Sequence, residues 1–105
     1  MKCYPVCPLK DLNAQHPKKF TVDDTEVLLV LGEDGEVFAF AATCTHADKP
    51  LEKGPWNASV GQITCPYHKA VFDIKGGGAV LKAPACVPLD VYPTTVQNGI
   101  VHITI

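Results

Sequence analysis

The chain has 105 residues, of which 47% are hydrophobic and 19% charged, and its formal net charge is −2. This length suits one ordinary domain, and no apolar run approaches the roughly 20 residues that a membrane helix needs. All nine basic residues are lysines, so the chain lacks the guanidinium groups that read nucleic acid. The short apolar runs and the lack of arginine predict that the protein binds neither membrane nor nucleic acid. Because no apolar secretory segment opens the sequence, we expect a cytoplasmic protein.

Strand signals dominate the first half of the chain. Residues 8–12 could form one helical turn, and residues 19–22 are a short extended segment. The run 26–31 is β-branched and apolar, which is typical of a strand buried on both faces. A polar loop with two glycines leads from it to the apolar segment 36–41, so the sequence predicts a hairpin over 26–41.

The second half of the chain continues the all-β pattern. Residues 61–64 and 70–73 are short strand candidates, and three glycines at 76–78 predict a sharp turn. Residues 94–97 and 100–105 flank an Asn-Gly pair, which is the signal for a two-residue type I′ hairpin turn. No composition break divides the chain, so a single domain is predicted.

Two Cys/His pairs stand out in the loop-rich middle. Cys44 and His46 form the first pair, and Cys65 and His68 form the second. Each pair follows a predicted strand, so the backbone of each ligand is expected to be rigid. Four such ligands could hold a tetrahedral zinc ion or share a two-iron cluster. Because zinc modules usually pair like ligands and each loop here supplies one Cys and one His, the spacing favours the cluster.

The motif C-x-H … C-x2-H resembles that of the Rieske iron–sulfur family. The resemblance runs along the whole chain and includes the Ala-Pro-Ala segment at 83–85. It implies a Rieske fold, in which an antiparallel β-sandwich base carries a small loop-rich cluster-binding subdomain. We expect that subdomain at about 43–73, inserted in the base of a single domain spanning 1–105. The resemblance also implies a [2Fe-2S] cluster bound by the two Cys/His pairs.

The resemblance further implies the function of a soluble, low-potential ferredoxin, an electron carrier and not an enzyme. Such a protein passes single electrons from an NAD(P)H-dependent flavoprotein reductase to the terminal oxygenase of a ring-hydroxylating dioxygenase. Its contacts with both partners are expected to be transient, and the protein is expected to be a monomer. One alternative is the small Rieske subunit of an assimilatory nitrite reductase, which stays bound to a catalytic subunit. An alternative of another class is a structural zinc-binding interaction module.

Five positions depart from patterns within the family. High-potential Rieske proteins have disulfide cysteines where this chain has Lys49 and Tyr67, and hydroxyl donors where it has Ala70 and Phe72. Fewer hydrogen bonds to the sulfur atoms stabilise the reduced cluster less, which predicts a potential on the order of −150 mV. Ferredoxins of this family usually carry Gly directly after the second His, where this chain has Lys69. Lysine there could strain the backbone or place a cation at a docking surface.

The remaining candidates receive simpler interpretations. Cys3, Cys7 and Cys86 are predicted to be ordinary small residues. Trp56 could shield the cluster or an interface, or it could pack within its loop. By resemblance, Pro84 covers the third side of the cluster. The docking face is expected around the histidine end of the cluster. The residues predicted to surround this docking face are Lys49, Pro50, Leu51, Pro66, Tyr67, Lys69 and Pro84.

Overall fold

The structure is a computed structural model that describes residues 2–43, 50–66, 69–82 and 88–105. Within these ranges it contains strands and one short 3-10 helix, Leu9–Asp11, which confirms the predicted helical turn. The strands are β1 (Cys3–Pro8), β2 (Lys18–Val22), β3 (Thr25–Leu31), β4 (Val37–Ala41), β5 (Trp56–Asn57), β6 (Gln62–Thr64), β7 (Val71–Asp73), β8 (Ala79–Lys82), β9 (Val91–Tyr92), β10 (Thr94–Gln97) and β11 (Ile100–Thr104). No helix in the described ranges is long and apolar enough to cross a membrane.

The strands form three antiparallel sheets, which confirms the all-β class. The first sheet has the order β1-β11-β10, the second β2-β3-β4-β9 and the third β5-β6-β7-β8. Strand β3 is buried on both faces, as its sequence predicts. Leu28 and Val30 belong to the core shared with the third sheet, whereas Val27 and Leu29 belong to the core shared with the first. The second sheet therefore lies between the other two.

Trp56 packs the third sheet against the second. Its ring centroid lies 5.6 Å from that of Phe38 and 6.0 Å from that of Phe40. Its indole Nε1–H donates a hydrogen bond of 3.0 Å to the carbonyl oxygen of Leu31. Among the interpretations of this side chain, the contacts therefore support packing, with the polar group of the indole satisfied.

The sequence predicted seven strands, and all seven are present with ends within one residue of the expected positions: β2, β3, β4, β6, β7, β10 and β11. The predicted Asn98-Gly99 turn is also present, with φ of 54° and 76° at its two residues. Four strands were missed. Strand β1 contains two prolines, which are tolerated because it lies at a sheet edge. Strands β5 and β9 are two residues long, and β8 directly follows the glycine turn.

The third sheet is an insertion between two paired strands of the second. Strands β4 and β9 are neighbours, with Phe40 opposite Val91, and β5 to β8 lie between them in the sequence. The inserted sheet extends to Lys82, beyond residue 73. The subdomain limits of 43–73 stay a prediction.

Cys7 places an alkali-sensitive thiol in the core between the first two sheets. Burial raises the pKa of Cys7, the carboxylate of Asp11 raises it further, and Lys18 partly offsets the rise. A thiol with a higher pKa in the folded state favours folding only while it is protonated. We therefore expect the free energy of unfolding to fall as the pH rises above about 8.5, where the thiol of the unfolded chain ionises.

The Cys7→Ala variant tests this expectation by denaturant unfolding at a series of pH values. Its free energy of unfolding should fall less than that of the wild type between about pH 8 and 10. Burial also raises the pKa of Tyr92, so both proteins should lose stability at still higher pH. An equal fall in both proteins between pH 8 and 10 would contradict the role given to Cys7.

Candidate metal centre

Cys65 directly follows β6 and begins a tight turn. Its side chain is fully buried, and its thiol forms no disulfide. The N–H of Cys65 donates to the carbonyl oxygen of Ala70 at 2.8 Å, and the carbonyl oxygen of Cys65 accepts from the N–H of Lys69 at 2.8 Å. These two hydrogen bonds close the loop that joins β6 to β7, so the backbone carrying this thiol is fixed at the end of a hairpin.

The segment that contains the first Cys/His pair begins and ends at one place. Thr43 and Pro50 face each other in an antiparallel bridge. Next to it, the N–H of Leu51 donates to the carbonyl oxygen of Ala42 at 2.8 Å. Ala42 and Leu51 are buried in the same core as Cys65. The ends of this segment are thus held on the core that surrounds Cys65.

Gly54 allows the chain that follows the first ligand segment to pack against the residues on either side of Cys65. Its N–H donates to the carbonyl oxygen of Leu51 at 2.9 Å. A Cβ at Gly54 would overlap the carbonyl oxygen of Thr64 and lie 3.2 Å from the Cδ of Pro66. Thr64 and Pro66 are the two neighbours of Cys65. A glycine is therefore required here, because the chain after the first ligand segment packs directly against the second.

A third segment leaves from the same end of the third sheet. Val71 pairs with Thr64 on one side and with Lys82 on the other, so β8 ends beside the turn that begins at Cys65. Residues 83–87 follow and lie outside the described residues. The role of Pro84 in covering the cluster therefore stays a prediction.

Of the four predicted ligands, Cys65 is described. Cys44, His46 and His68 lie outside the described ranges, as does Cys86. Within those ranges, no three His, Cys, Asp or Glu side chains gather in a group that could hold a metal ion. The described donor fits an iron–sulfur cluster, because a buried thiol on a rigid hairpin supplies the soft sulfur ligand that iron–sulfur clusters use.

Lys69 has a backbone conformation that favours glycine. Its φ is +59°, in the left-handed region, and its side chain is exposed. Glycine adopts this conformation without strain, whereas other L-residues are strained by roughly 1–2 kcal/mol. The backbone at this position is therefore strained, and a cation faces solvent four residues after Cys65. That this cation lies at a docking surface stays a prediction.

The Lys69→Gly substitution is expected to stabilise the protein. Relief of the left-handed strain outweighs the extra freedom that glycine gives the unfolded chain, for a net gain of about 1 kcal/mol. The melting temperature should rise by several degrees. Lys75→Gly is the matched control, because Lys75 is also exposed but does not have a positive φ, and it should lower the melting temperature. A fall with Lys69→Gly as large as that with Lys75→Gly would contradict the strain.

Comparison with known proteins decides the family. A profile of the Rieske [2Fe-2S] domain matches residues 2–93 of the chain. The chain belongs to the Rieske family. Its cofactor is therefore a Rieske-type [2Fe-2S] cluster, and the zinc-binding alternative is set aside.

The relatives of this Rieske protein include ferredoxin components of dioxygenases. It is 32% identical over 100 residues to the 3-phenylpropionate/cinnamic acid dioxygenase ferredoxin subunit of Photorhabdus laumondii, with 95% of this chain and 91% of that protein covered. It matches the ferredoxin of carbazole 1,9a-dioxygenase from Nocardioides aromaticivorans IC177 with a TM-score of 0.89 and 30% identity, over 98% of this chain and 97% of the other. It also matches a chain in a complex of reduced oxygenase and oxidized ferredoxin in carbazole 1,9a-dioxygenase, with a TM-score of 0.83 and 25% identity, over 95% and 99% of the two chains. This Rieske protein is an electron carrier and not itself an enzyme.

Proposed function

We propose that this Rieske protein carries single electrons from an NAD(P)H-dependent flavoprotein reductase to the terminal oxygenase of a ring-hydroxylating system. The observation that carries the proposal is the match to dioxygenase ferredoxin subunits over nearly the whole length of both chains. Further support comes from the related ferredoxin that forms a complex with an oxygenase. Contacts with both partners are proposed to be transient, and the protein is proposed to act as a cytoplasmic monomer.

The four residues of the two Cys/His pairs are proposed to hold the cluster: Cys44, His46, Cys65 and His68. When bound, the cluster accepts and releases one electron. The chain itself contributes the buried side chain of Cys65 and a hairpin that fixes the backbone of this proposed ligand. The core around Cys65 excludes water on that side. Each of these contributions is a property of the described residues.

Ala70 and Phe72 are expected to keep the reduction potential of the cluster low. Both side chains are fully buried in the core that contains Cys65, and neither carries a hydroxyl group. The wild-type potential is therefore expected on the order of −150 mV, near the low end of the Rieske range. Ala70→Ser and Phe72→Tyr should each raise it by about 50 mV, which corresponds to about 1 kcal/mol of hydrogen bonding to the reduced state.

Protein-film voltammetry or a redox titration followed by visible spectroscopy measures these potentials. Val71→Thr is the matched control, because Val71 lies between the two positions on the opposite face of β7, and its new hydroxyl should leave the potential unchanged. A wild-type potential well above zero would contradict the prediction.

Reconstitution tests the proposed function directly. The purified protein would be combined with a flavoprotein reductase, the terminal oxygenase of a ring-hydroxylating system, NAD(P)H and an aromatic substrate. Hydroxylated product should form only when the wild-type Rieske protein is present. The Cys65→Ala variant should not support product formation. Full turnover without the protein would overturn the proposal.

Gel filtration of a native extract distinguishes the proposed ferredoxin from the nitrite reductase alternative. The small subunit of a nitrite reductase would elute in a persistent large complex with its catalytic subunit, whereas a ferredoxin would elute as a free small protein.

A further inference from the structure

Two exposed lysines flank the segment that carries Cys65. We propose that Lys53 and Lys69 form a basic rim, onto which an acidic surface of the electron-accepting oxygenase docks. This inference rests on the proposed function and specifies the charge of the partner surface. It concerns residues that lie outside the ligand set.

Lys69 is held at the rim by its backbone. Its N–H is bonded to the carbonyl oxygen of Cys65 at 2.8 Å, and its left-handed φ of +59° is fixed by the tight turn. Its neighbour Ala70 is fully buried, whereas the Lys69 side chain is exposed. The turn therefore presents an ammonium group to solvent at the end of the hairpin that carries the thiol. Lysine is strained at this φ, so a cation at this position lowers the stability of the fold relative to glycine.

Lys53 is held on the other side of the same segment. It is exposed, and its neighbour Gly54 is buried so closely that a Cβ there would overlap the carbonyl oxygen of Thr64. The same Cβ would lie 3.2 Å from the Cδ of Pro66, which is itself exposed. The turn that carries Lys53 is thus packed onto both neighbours of Cys65. The turns that carry the two lysines therefore both contact the segment 64–66.

Neither lysine is neutralised by a described carboxylate. Within the described residues the ion pair is Lys19 with Glu26, at 3.3 Å on the second sheet. Glu52, next to Lys53, is half-buried and pairs with neither lysine. Within the described residues the two lysines therefore have no ion-pair partner, although the whole chain has a formal charge of −2. Local charge at a docking face steers a partner more strongly than distant charge, because salt screens interactions beyond about 10 Å.

The sign of this local charge can be measured with small inorganic reagents. The chemically reduced protein would give one electron to ferricyanide, which becomes ferrocyanide with no proton transfer, and stopped-flow absorbance would follow the rate. Net charge alone would repel this anion, so the rate would rise with salt. A basic rim predicts the opposite, a fall of roughly tenfold between about 10 mM and 0.5 M salt. The cation hexaammineruthenium(III) should show the reverse dependence.

Lysine substitutions assign the effect to the rim. Lys53→Gln and Lys69→Gln should each lower the low-salt rate with ferricyanide roughly threefold, and the double variant roughly tenfold. Lys10→Gln is the matched control, because Lys10 is exposed in the 3-10 helix beside the β10–β11 turn, and it should leave the rate unchanged. A wild-type rate that rises with salt would overturn the proposal. A fall with Lys10→Gln equal to that with Lys69→Gln would overturn it as well.

A binding measurement separates the rim from the proposed function. Calorimetric titration of the oxidised protein with poly-L-glutamate should show salt-sensitive binding, weakened at least about fivefold in the double variant and unchanged in Lys10→Gln. No weakening in the double variant would overturn the rim. Binding through both lysines by a protein that takes up no electron would support the rim and overturn the proposed function. Electron delivery to the oxygenase at a rate that the double variant leaves unchanged would support the function and overturn the rim.

Discussion

Replacing Cys65 with alanine is expected to abolish the [2Fe-2S] cluster. The thiolate is one of four proposed ligands, and an iron that loses a sulfur ligand in a buried site gains no replacement from the alanine side chain or from the apolar core around it. The purified variant should be colourless and contain less than about a tenth of the two irons per chain of the wild type. Iron analysis, visible absorption and electron paramagnetic resonance of the reduced protein measure this loss.

Cys7→Ala is the matched control for the ligand substitution. Cys7 is also a buried, unpaired cysteine, but it lies in the core between the first and second sheets. Its loss should leave about two irons per chain and an unchanged spectrum, although the smaller side chain lowers stability by roughly 1 kcal/mol. Retention of the full iron content by Cys65→Ala would contradict the assignment of Cys65 as a ligand.

The cofactor could be predicted from the sequence because its chemistry restricts the residue types, whereas the four-residue ligand set stays a prediction. Few arrangements use one Cys and one His from each of two loops, so the pattern alone separates a Rieske cluster from most zinc sites. The structure then adds how the described ligand is held. The hydrogen bonds between Cys65 and residues 69–70 depend on a turn, and the requirement for glycine at position 54 depends on contact with Thr64 and Pro66, which come later in the sequence. Such contacts have no local signal in the sequence.

The fold was predictable where strands carry their own pattern. The two-faced burial of β3 follows from its apolar run, and the Asn98-Gly99 turn follows from the backbone angles that only a few residues tolerate. By contrast, β5 and β9 are strands because a partner strand pairs with them, not because two residues have a preference of their own. Strand β1 was missed because its prolines argue against a central strand and say nothing of an edge.

Lys69 shows a second limit of sequence reasoning. The resemblance to the family implies glycine where this chain has Lys69, but it does not distinguish a need for space from a need for positive φ. The structure shows the second: the backbone is left-handed and the side chain points to solvent. Strain of this kind is tolerated only where the surroundings determine the turn, and such positions cluster at functional sites. The conformation thus links the departure from the family pattern to the basic rim.

Gly78→Ala is expected to destabilise the protein strongly. The N–H of Gly78 donates to the carbonyl oxygen of Asp73 at 2.8 Å, and its carbonyl oxygen accepts from the N–H of Leu89 at 2.9 Å. A Cβ at this position would overlap the carbonyl oxygen of Leu89, and the φ of +88° would strain it further. Relief of the overlap would break these backbone hydrogen bonds and displace Leu89, which is buried in the core around Cys65. The combined loss should be about 4 kcal/mol.

The neighbouring glycine isolates the steric part of this effect. Gly77 has a similar φ of +84°, but a Cβ there would meet no atom within 4 Å. Gly77→Ala should therefore lose only the left-handed strain, about 1–2 kcal/mol, and lower the melting temperature by roughly 5–10 °C. Gly78→Ala should lower it by roughly 15 °C or more and release the cluster at a lower temperature, followed by circular dichroism and visible absorption. Equal effects of the two substitutions would show that Gly78 is required for its φ alone. The contact between Gly78 and Leu89 would then not be needed to hold the third sheet to the chain that leads into β9.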